Sequence, residues 1–283
     1  MSWQLLTAIS VLGLSSSVVL QRILMHKDKI DPFAYAITFQ AIVGVLLTIF
    51  AVIFGFHLPG IENLLLPAIF SVICFGVGHI VYAKTLQRVE ASVFSVLFAT
   101  QAIWIMLLGI LLFNENLTGL QILGSLLIFV GVGFTIKNIR SLSFDKGTLL
   151  GLLTGLIFGI AITAWSYVGR HTDGLSWAAT SFIGASLVAC LVRPQTIKHI
   201  RPLLNKRILK TLILLGIFYG IGSLTMLFAY KEGTFAVVSP LRQTSIIVTT
   251  LLALLFLSQE RTRIGKKVLA ALICFIGVIL III

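Results

Sequence analysis

Apolar residues run through this chain in long blocks, and short polar connections between them hold nearly all of its charge. A bilayer core about 30 Å thick is crossed by about 20 mostly apolar residues of helix, at about 1.5 Å per residue. Blocks of that kind fall at 4–24, 32–54, 64–86, 91–113, 119–136, 147–168, 175–192, 208–230, 235–257 and 265–283. The pattern therefore predicts ten transmembrane helices. The longest connection, 193–207, leaves no room for a soluble domain. Alternating polar and apolar decamers are absent, so a β-barrel is excluded. No basic region precedes the first block, and Arg22 follows its core. That block reads as a retained span, not a cleaved leader.

The second five blocks resemble the first five. Leu111-Leu112-Phe113-Asn114-Glu115 closes the fourth, and Leu255-Phe256-Leu257-Ser258-Gln259-Glu260 closes the ninth. Leu126-Leu127-Ile128-Phe129-Val130-Gly131-Val132 matches Leu272-Ile273-Cys274-Phe275-Ile276-Gly277-Val278, and Gly76-Val77-Gly78 matches Gly220-Ile221-Gly222. Gly13 and Gly159 stand at nearly the same offset. Five is odd, so the second half enters the membrane from the opposite side. The expectation is a 5+5 inverted-topology repeat, 1–140 and 141–283, around a central cavity. In such folds the two halves can exchange conformations and open a shared site to either side in turn.

Charge sets the orientation. The odd-numbered connections hold Arg22, Lys27 and Lys29; Lys84 and Arg88; Lys137, Arg140 and Lys146; Arg193, Lys198, Arg201, Lys206, Arg207 and Lys210; and Arg261, Arg263, Lys266 and Lys267. The even-numbered ones hold only Arg170 and Lys231. Basic loops stay in the cytoplasm, so both termini are expected on the extracytoplasmic side. The net charge of +12 then reflects loops that face anionic lipid, and no nucleic-acid partner is implied. Cys74, Cys190 and Cys274 all fall inside spans and form no CxxC, which argues against disulfides and metal. Without HExxH, a buried acid pair or a nucleotide-binding glycine loop, neither an enzyme nor an ATP-driven pump is expected, and no cofactor.

An ionisable side chain deep in a span costs at least about 2.5–3.5 kcal/mol and is by default a functional candidate. Arg242 lies seven residues into the ninth block, about 10 Å deep. It can fork onto a carboxylate or phosphate, or snorkel to the interface. Gln243 follows it. His79 is the one histidine inside a span, either a proton-sensitive group or a ring satisfied by a neighbouring carbonyl. Gln40, Gln101, Trp104, Tyr82, Trp165 and Tyr219 complete the candidate solute-binding set, with Gln101 and Trp104 on one helix face. Trp165 equally fits an interfacial belt. Pro240 is a candidate hinge or a simple kink. Glu115 and Glu260 read as topological and capping residues. Gly147, Gly151, Gly155 and Gly159 form a smooth stripe for close helix packing, for a dimer seam or for sliding. All nine acids lie at span ends or in loops, which argues against a cationic drug exchanged for protons.

The motifs Leu112-Phe113-Asn114-Glu115-Asn116-Leu117-Thr118, with Gly124 and Gly131, and Leu257-Ser258-Gln259-Glu260-Arg261-Thr262, with Gly277, resemble the ten-helix EamA-type members of the drug/metabolite transporter superfamily. The similarity covers the whole chain. It implies a carrier of amino acids, nucleotides, sugars, other metabolites or drugs. In many relatives the basic loops put the termini in the cytoplasm; the charge bias here says the reverse. The combined expectation is a secondary transporter in a bacterial inner membrane, monomeric or homodimeric. Its solute would be a small neutral, zwitterionic or anionic metabolite such as an amino acid, moved by alternating access. A non-transporting scaffold or sensor and an exporter of drug-like compounds are the alternatives.

Overall fold

Capping chemistry divides the apolar blocks into helices much as the sequence predicts. The computed structural model describes residues 2–27, 30–57, 60, 62–88, 91–134 and 146–256, and beyond these 265, 269, 272–273, 276–277 and 279–280. The helices are α1 (Trp3–Lys27), α2 (Pro32–Phe54), α3 (Leu65–Leu86), α4 (Ala91–Phe113), α5 (Gly119–Phe134), α6 (Lys146–His171), α7 (Gly174–Val192), α8 (Lys206–Glu232), α9 (Phe235–Arg242) and α10 (Ser245–Phe256). No strand occurs among the described residues. Asp31 starts α2 by accepting the Phe33 and Ala34 amides, with Pro32 in the first turn where no amide is needed. Gly55 ends it at φ +101°, a left-handed conformation that other residues resist. Thr118 and Gln121 cap α5 reciprocally, each side chain taking the other's amide. Asp173 caps α7 and Asn205 caps α8.

Six helical stretches are long and apolar enough to cross a bilayer: Trp3–Met25, Pro32–Phe54, Glu62–Leu86, Lys146–His171, Gly174–Val192 and Lys206–Glu232. Thr100–Phe113 and Gly119–Gly131 are shorter apolar stretches. The chain is an all-helical, multi-pass integral membrane protein. The predicted ninth span is not one helix. α9 and α10 are separated at Gln243–Thr244, where the Gln243 and Thr244 amides bond three residues back, to Pro240 and Leu241. Pro240 has no amide to offer the Ala236 carbonyl, so the α-helical ladder is interrupted just before this turn. Most of the tenth predicted span, with Glu260, lies outside the described residues; Gly277 there backs onto Gly124 and Ile128 of α5.

The packing pairs helices across the two halves of the chain. α1 packs on α8 and α3 on α6; α4 packs on α6, and α9 and α10 on α1; α3 packs on α7 and α2 on α8; α2 and α7 pack on each other. Exchanging α1–α4 for α6–α10 in order returns the same set of contacts. Small residues make the closest approaches. A methyl group at Gly155 would stand 3.1 Å from the Leu97 carbonyl, one at Gly159 3.1 Å from the Gln101 carbonyl, and one at Gly151 against Leu97. The α6 glycine stripe is thus an intramolecular seam with α4. Gly13 meets Phe218 and Gly222 in the same way between α1 and α8. Hydroxyls join helices where hydrocarbon offers no other partner: Ser10 donates to the Gly222 carbonyl at 2.6 Å and Ser186 to that of Ile37 at 2.9 Å.

Candidate functional site

Six predicted residues converge on one cavity. Arg242, Gln243, Gln101, His79, Tyr82 and Tyr219 line a space of about 70 Å³ together with Ser15, Ser17 and Gln21 of α1, Phe98, Phe158, Ser245 and Thr249. Gln21, Tyr82 and Phe98 lie toward the helix ends that carry the basic loops. The break between α9 and α10 delivers Arg242 and Gln243 to its wall. Arg242 donates to the Gln101 amide oxygen at 3.1 Å. Among the described residues no carboxylate stands within ion-pairing distance of it. Gln243 is 2% exposed, and its side-chain nitrogen has no hydrogen-bond partner.

The opposite side is aromatic and hydroxylic. His79 Nδ1 lies 3.0 Å from the Phe75 carbonyl. A carbonyl only accepts, so Nδ1 carries the proton and Nε2 of the neutral ring is an acceptor, facing the Tyr219 hydroxyl at 3.4 Å. Phe158 stands edge-on to His79 at 5.0 Å and to Phe98 at 5.1 Å, and Tyr82 stands against Phe98 at 5.3 Å. These rings hold the walls apart and offer flat apolar faces. On α1, Ser15 donates to the Ser245 carbonyl at 2.9 Å and Ser17 to the Leu14 carbonyl at 2.7 Å, which leaves both oxygens free to accept.

Three predicted residues lie elsewhere. Trp104 is 39% exposed on the outer flank of α4, with its Cβ against Gly159, because the face it shares with Gln101 is wide enough to reach past the cavity. Trp165 is core: its indole donates to Ser181 at 2.7 Å, and its carbonyl accepts from Trp177. Its place in an interfacial belt is excluded by 4% exposure. Gln40 is fully buried in α2, its amide nitrogen bonded to the Ala36 carbonyl. Sequence reading missed Ser15, Ser17 and Gln21. Their signal was a polar run inside an apolar block, with Ser17 and Gln21 four apart on one helix face. A larger space of about 610 Å³ between α3, α4 and α6 is lined by Phe70, Leu108, Leu112, Ile160 and other apolar groups. It offers few polar atoms to read a solute.

The other end of the bundle carries a second polar and aromatic cluster. Asn114 takes φ +50° after α4 and turns the chain back, so that Glu115 accepts the Phe235 and Ala236 amides at 2.9 Å each. Glu115 is therefore a cap, but for α9 and not for its own helix. Arg170 stands 3.6 Å from the carboxylate, donates to the Tyr230 and Gly233 carbonyls at 2.6 and 2.7 Å, and lies 4.0 Å over the Phe235 ring. Phe113, Tyr167, Tyr230 and Phe235 stack around it.

A multi-pass helical bundle with polar and charged side chains gathered around an internal cavity suits a carrier, and comparison with known proteins agrees. The model of the EamA-like transporter family matches residues 1–137 and again 145–283. The chain belongs to the EamA-like transporter family. This transporter is 27% identical over 268 residues to proteins of Bacillus cereus and Bacillus anthracis that are named for sugar uptake, covering 89% of the chain and 90% of each relative. A solved crystal structure, 15% identical, superposes over 96% of both chains with a TM-score of 0.71, which shows a shared fold. Family membership makes the protein a transporter and not an enzyme.

Proposed function

We propose that this transporter is a secondary carrier of a small hydroxyl-rich solute of the sugar class, working by alternating access from the Arg242 cavity. The observation that carries the reading is the cavity itself: amides, hydroxyls and one guanidinium converge beside the faces of Tyr82, Phe98 and Phe158. Amides and hydroxyls suit the alternating donors and acceptors of a sugar, and flat rings suit its C–H faces. A zwitterionic amino acid would also want an anion for its ammonium, and no described Asp or Glu lines the cavity. The names of the Bacillus relatives point the same way.

Alternating access is supported by the paired packing of the two halves and by the separate family matches over 1–137 and 145–283. Both fit two inverted repeats, 1–140 and 141–283. The cavity is smaller than the roughly 300–1,000 Å³ that encloses a drug-sized ligand. Loading therefore requires the walls to part, and the break at Gln243–Thr244 after Pro240 is the hinge between them. The charge bias of the loops supports a cavity toward the cytoplasm of a bacterial inner membrane with the Glu115 end outside. Counterflow in proteoliposomes tests the reading, with labelled pools of neutral and acidic monosaccharides beside amino acids. Trans-stimulated exchange of a sugar pool is expected, lost in Gln101→Ala or reduced through a higher KM. Exchange of amino acids alone would overturn the sugar class. No exchange by folded protein would overturn the carrier mechanism.

A further inference from the structure

We infer that the solute carries an anionic group, a carboxylate or phosphate, and that Arg242, Gln101 and Gln243 hold it. The inference rests on the carrier reading and narrows its substrate from sugars in general to acidic sugars.

Donors are concentrated where Arg242, Gln101 and Gln243 meet. On one wall Arg242 gives one N–H to Gln101 and has Tyr230 beside it, and a guanidinium with five N–H groups retains donors beyond these two. Accepting that bond fixes the Gln101 side chain with its oxygen toward Arg242, so its amide nitrogen is a further donor. The Gln243 nitrogen, buried and unpartnered, is another. A buried donor without an acceptor is costly, and three residues that offer donors around one uncompensated cation make the empty wall a poor resting state. A neutral sugar hydroxyl satisfies one or two of these donors and leaves the charge standing. A carboxylate or phosphate accepts from all three residues and cancels the charge, with the planar guanidinium suited to a paired contact.

Residues of α1 and α3 add acceptors beside it. The Ser15 and Ser17 protons are spent on backbone carbonyls, which leaves both serine oxygens as acceptors, while His79 Nε2 faces the Tyr219 hydroxyl. Sugar hydroxyls can donate there. An acidic head on the donor wall and a polyhydroxyl tail against α1 and α3 would satisfy both, whereas a solute without the head satisfies only one. The aromatic rings between them fit the intervening C–H faces.

The test is counterflow with single solutes: glucose, glucuronate and glucose 6-phosphate, the last two separating carboxylate from phosphate. Wild type is compared with Arg242→Gln and with Gln243→Ala, each first shown to be monodisperse and to keep a cooperative melt. Wild type is expected to exchange one acid with a kcat/KM roughly 10- to 100-fold above glucose, the range of hydrogen bonds to a charged group. Arg242→Gln should erase that preference, lowering kcat/KM for the acid at least about tenfold more than for glucose. Gln243→Ala should raise the KM of the acid more than that of glucose. Exchange of glucose equal to or above both acids would overturn the inference and leave the sugar carrier standing. Equal loss of acid and neutral exchange in Arg242→Gln would also overturn it, since the arginine would then be structural. Absence of exchange for all three solutes would overturn the carrier reading beneath it.

Discussion

Replacing Glu115 tests whether the junction of α4, α6, α8 and α9 is held by one carboxylate. In Glu115→Ala, the Phe235 and Ala236 amides lose their 2.9 Å partners, and Arg170 loses its counter-charge. Hydrogen bonds to charged groups contribute about 1.5–3 kcal/mol each. Arg170 keeps its two carbonyls and the Phe235 ring, so the ion pair adds little beyond the two amides. The expected loss is about 3–5 kcal/mol, the range for breaking a buried charged contact from one side. Glu115→Gln offers one oxygen and turns its NH2 toward the second amide. It should lose about half as much, near 2 kcal/mol. At roughly 2–4 °C per kcal/mol for a chain approaching this length, purified protein in detergent should melt about 10 °C lower for the alanine variant and about 5 °C lower for the glutamine. Arg170→Ala and the double variant complete a cycle, and the two single losses should not add. An alanine variant that melts within about 1 °C of wild type, a shift below 1 kcal/mol, would refute the argument.

Two further predictions concern packing and pH. A methyl group at Gly155 collides with Thr100 and stands 3.1 Å from the Leu97 carbonyl, whereas one at Gly119 meets nothing within 4 Å. Gly155→Ala should cost about 1–3 kcal/mol in thermal melts and Gly119→Ala nothing; equal melts for the two would contradict the seam. At Asp173, burial would raise the carboxyl pKa, but the bonds from Ser176 outweigh it and hold it below the usual carboxylate range. A depressed pKa stabilises the fold above the unfolded value, and that contribution is lost as pH falls through the folded one. Asp173→Ala should therefore cost about 1 kcal/mol near neutral pH. Its deficit in melting temperature should shrink below about pH 4, and a deficit constant with pH would contradict the assignment.

The apolar blocks were legible because bilayer thickness imposes one length on every crossing, and α2 and α4 begin and end where the hydropathy does. The break in the ninth block was not. Pro240 announces a lost bond, but the turn comes three residues later, where backbone bonding and not composition decides. Arg242, Gln101 and His79 were found because a polar group in hydrocarbon needs a reason. Trp104, Trp165 and Gln40 were chosen on the same ground and went elsewhere, since lipid, an indole partner or a carbonyl one turn back can each supply that reason. The role of Glu115 was half readable. Its chemistry marks a cap, but the amides it caps belong to a helix 120 residues further on. Arg170 counted only as a loop charge until the fold placed three helix ends around it.

The glycine seam between α6 and α4 has a mechanical consequence. Where Gly155 and Gly159 face α4, the contact surface is main chain, without side chains to interlock on the α6 side. Side chains of α4 fill the notches these glycines leave, Leu97 at Gly151, Thr100 at Gly155 and Trp104 at Gly159, so the spacing of the two helices is fixed by what α6 lacks. Gln101 stands on the α4 side of that seam and also holds Arg242. The α4 wall of the cavity is thus held at main-chain distance from α6, and any side chain added at these glycines would push Gln101, and Arg242 with it, outward.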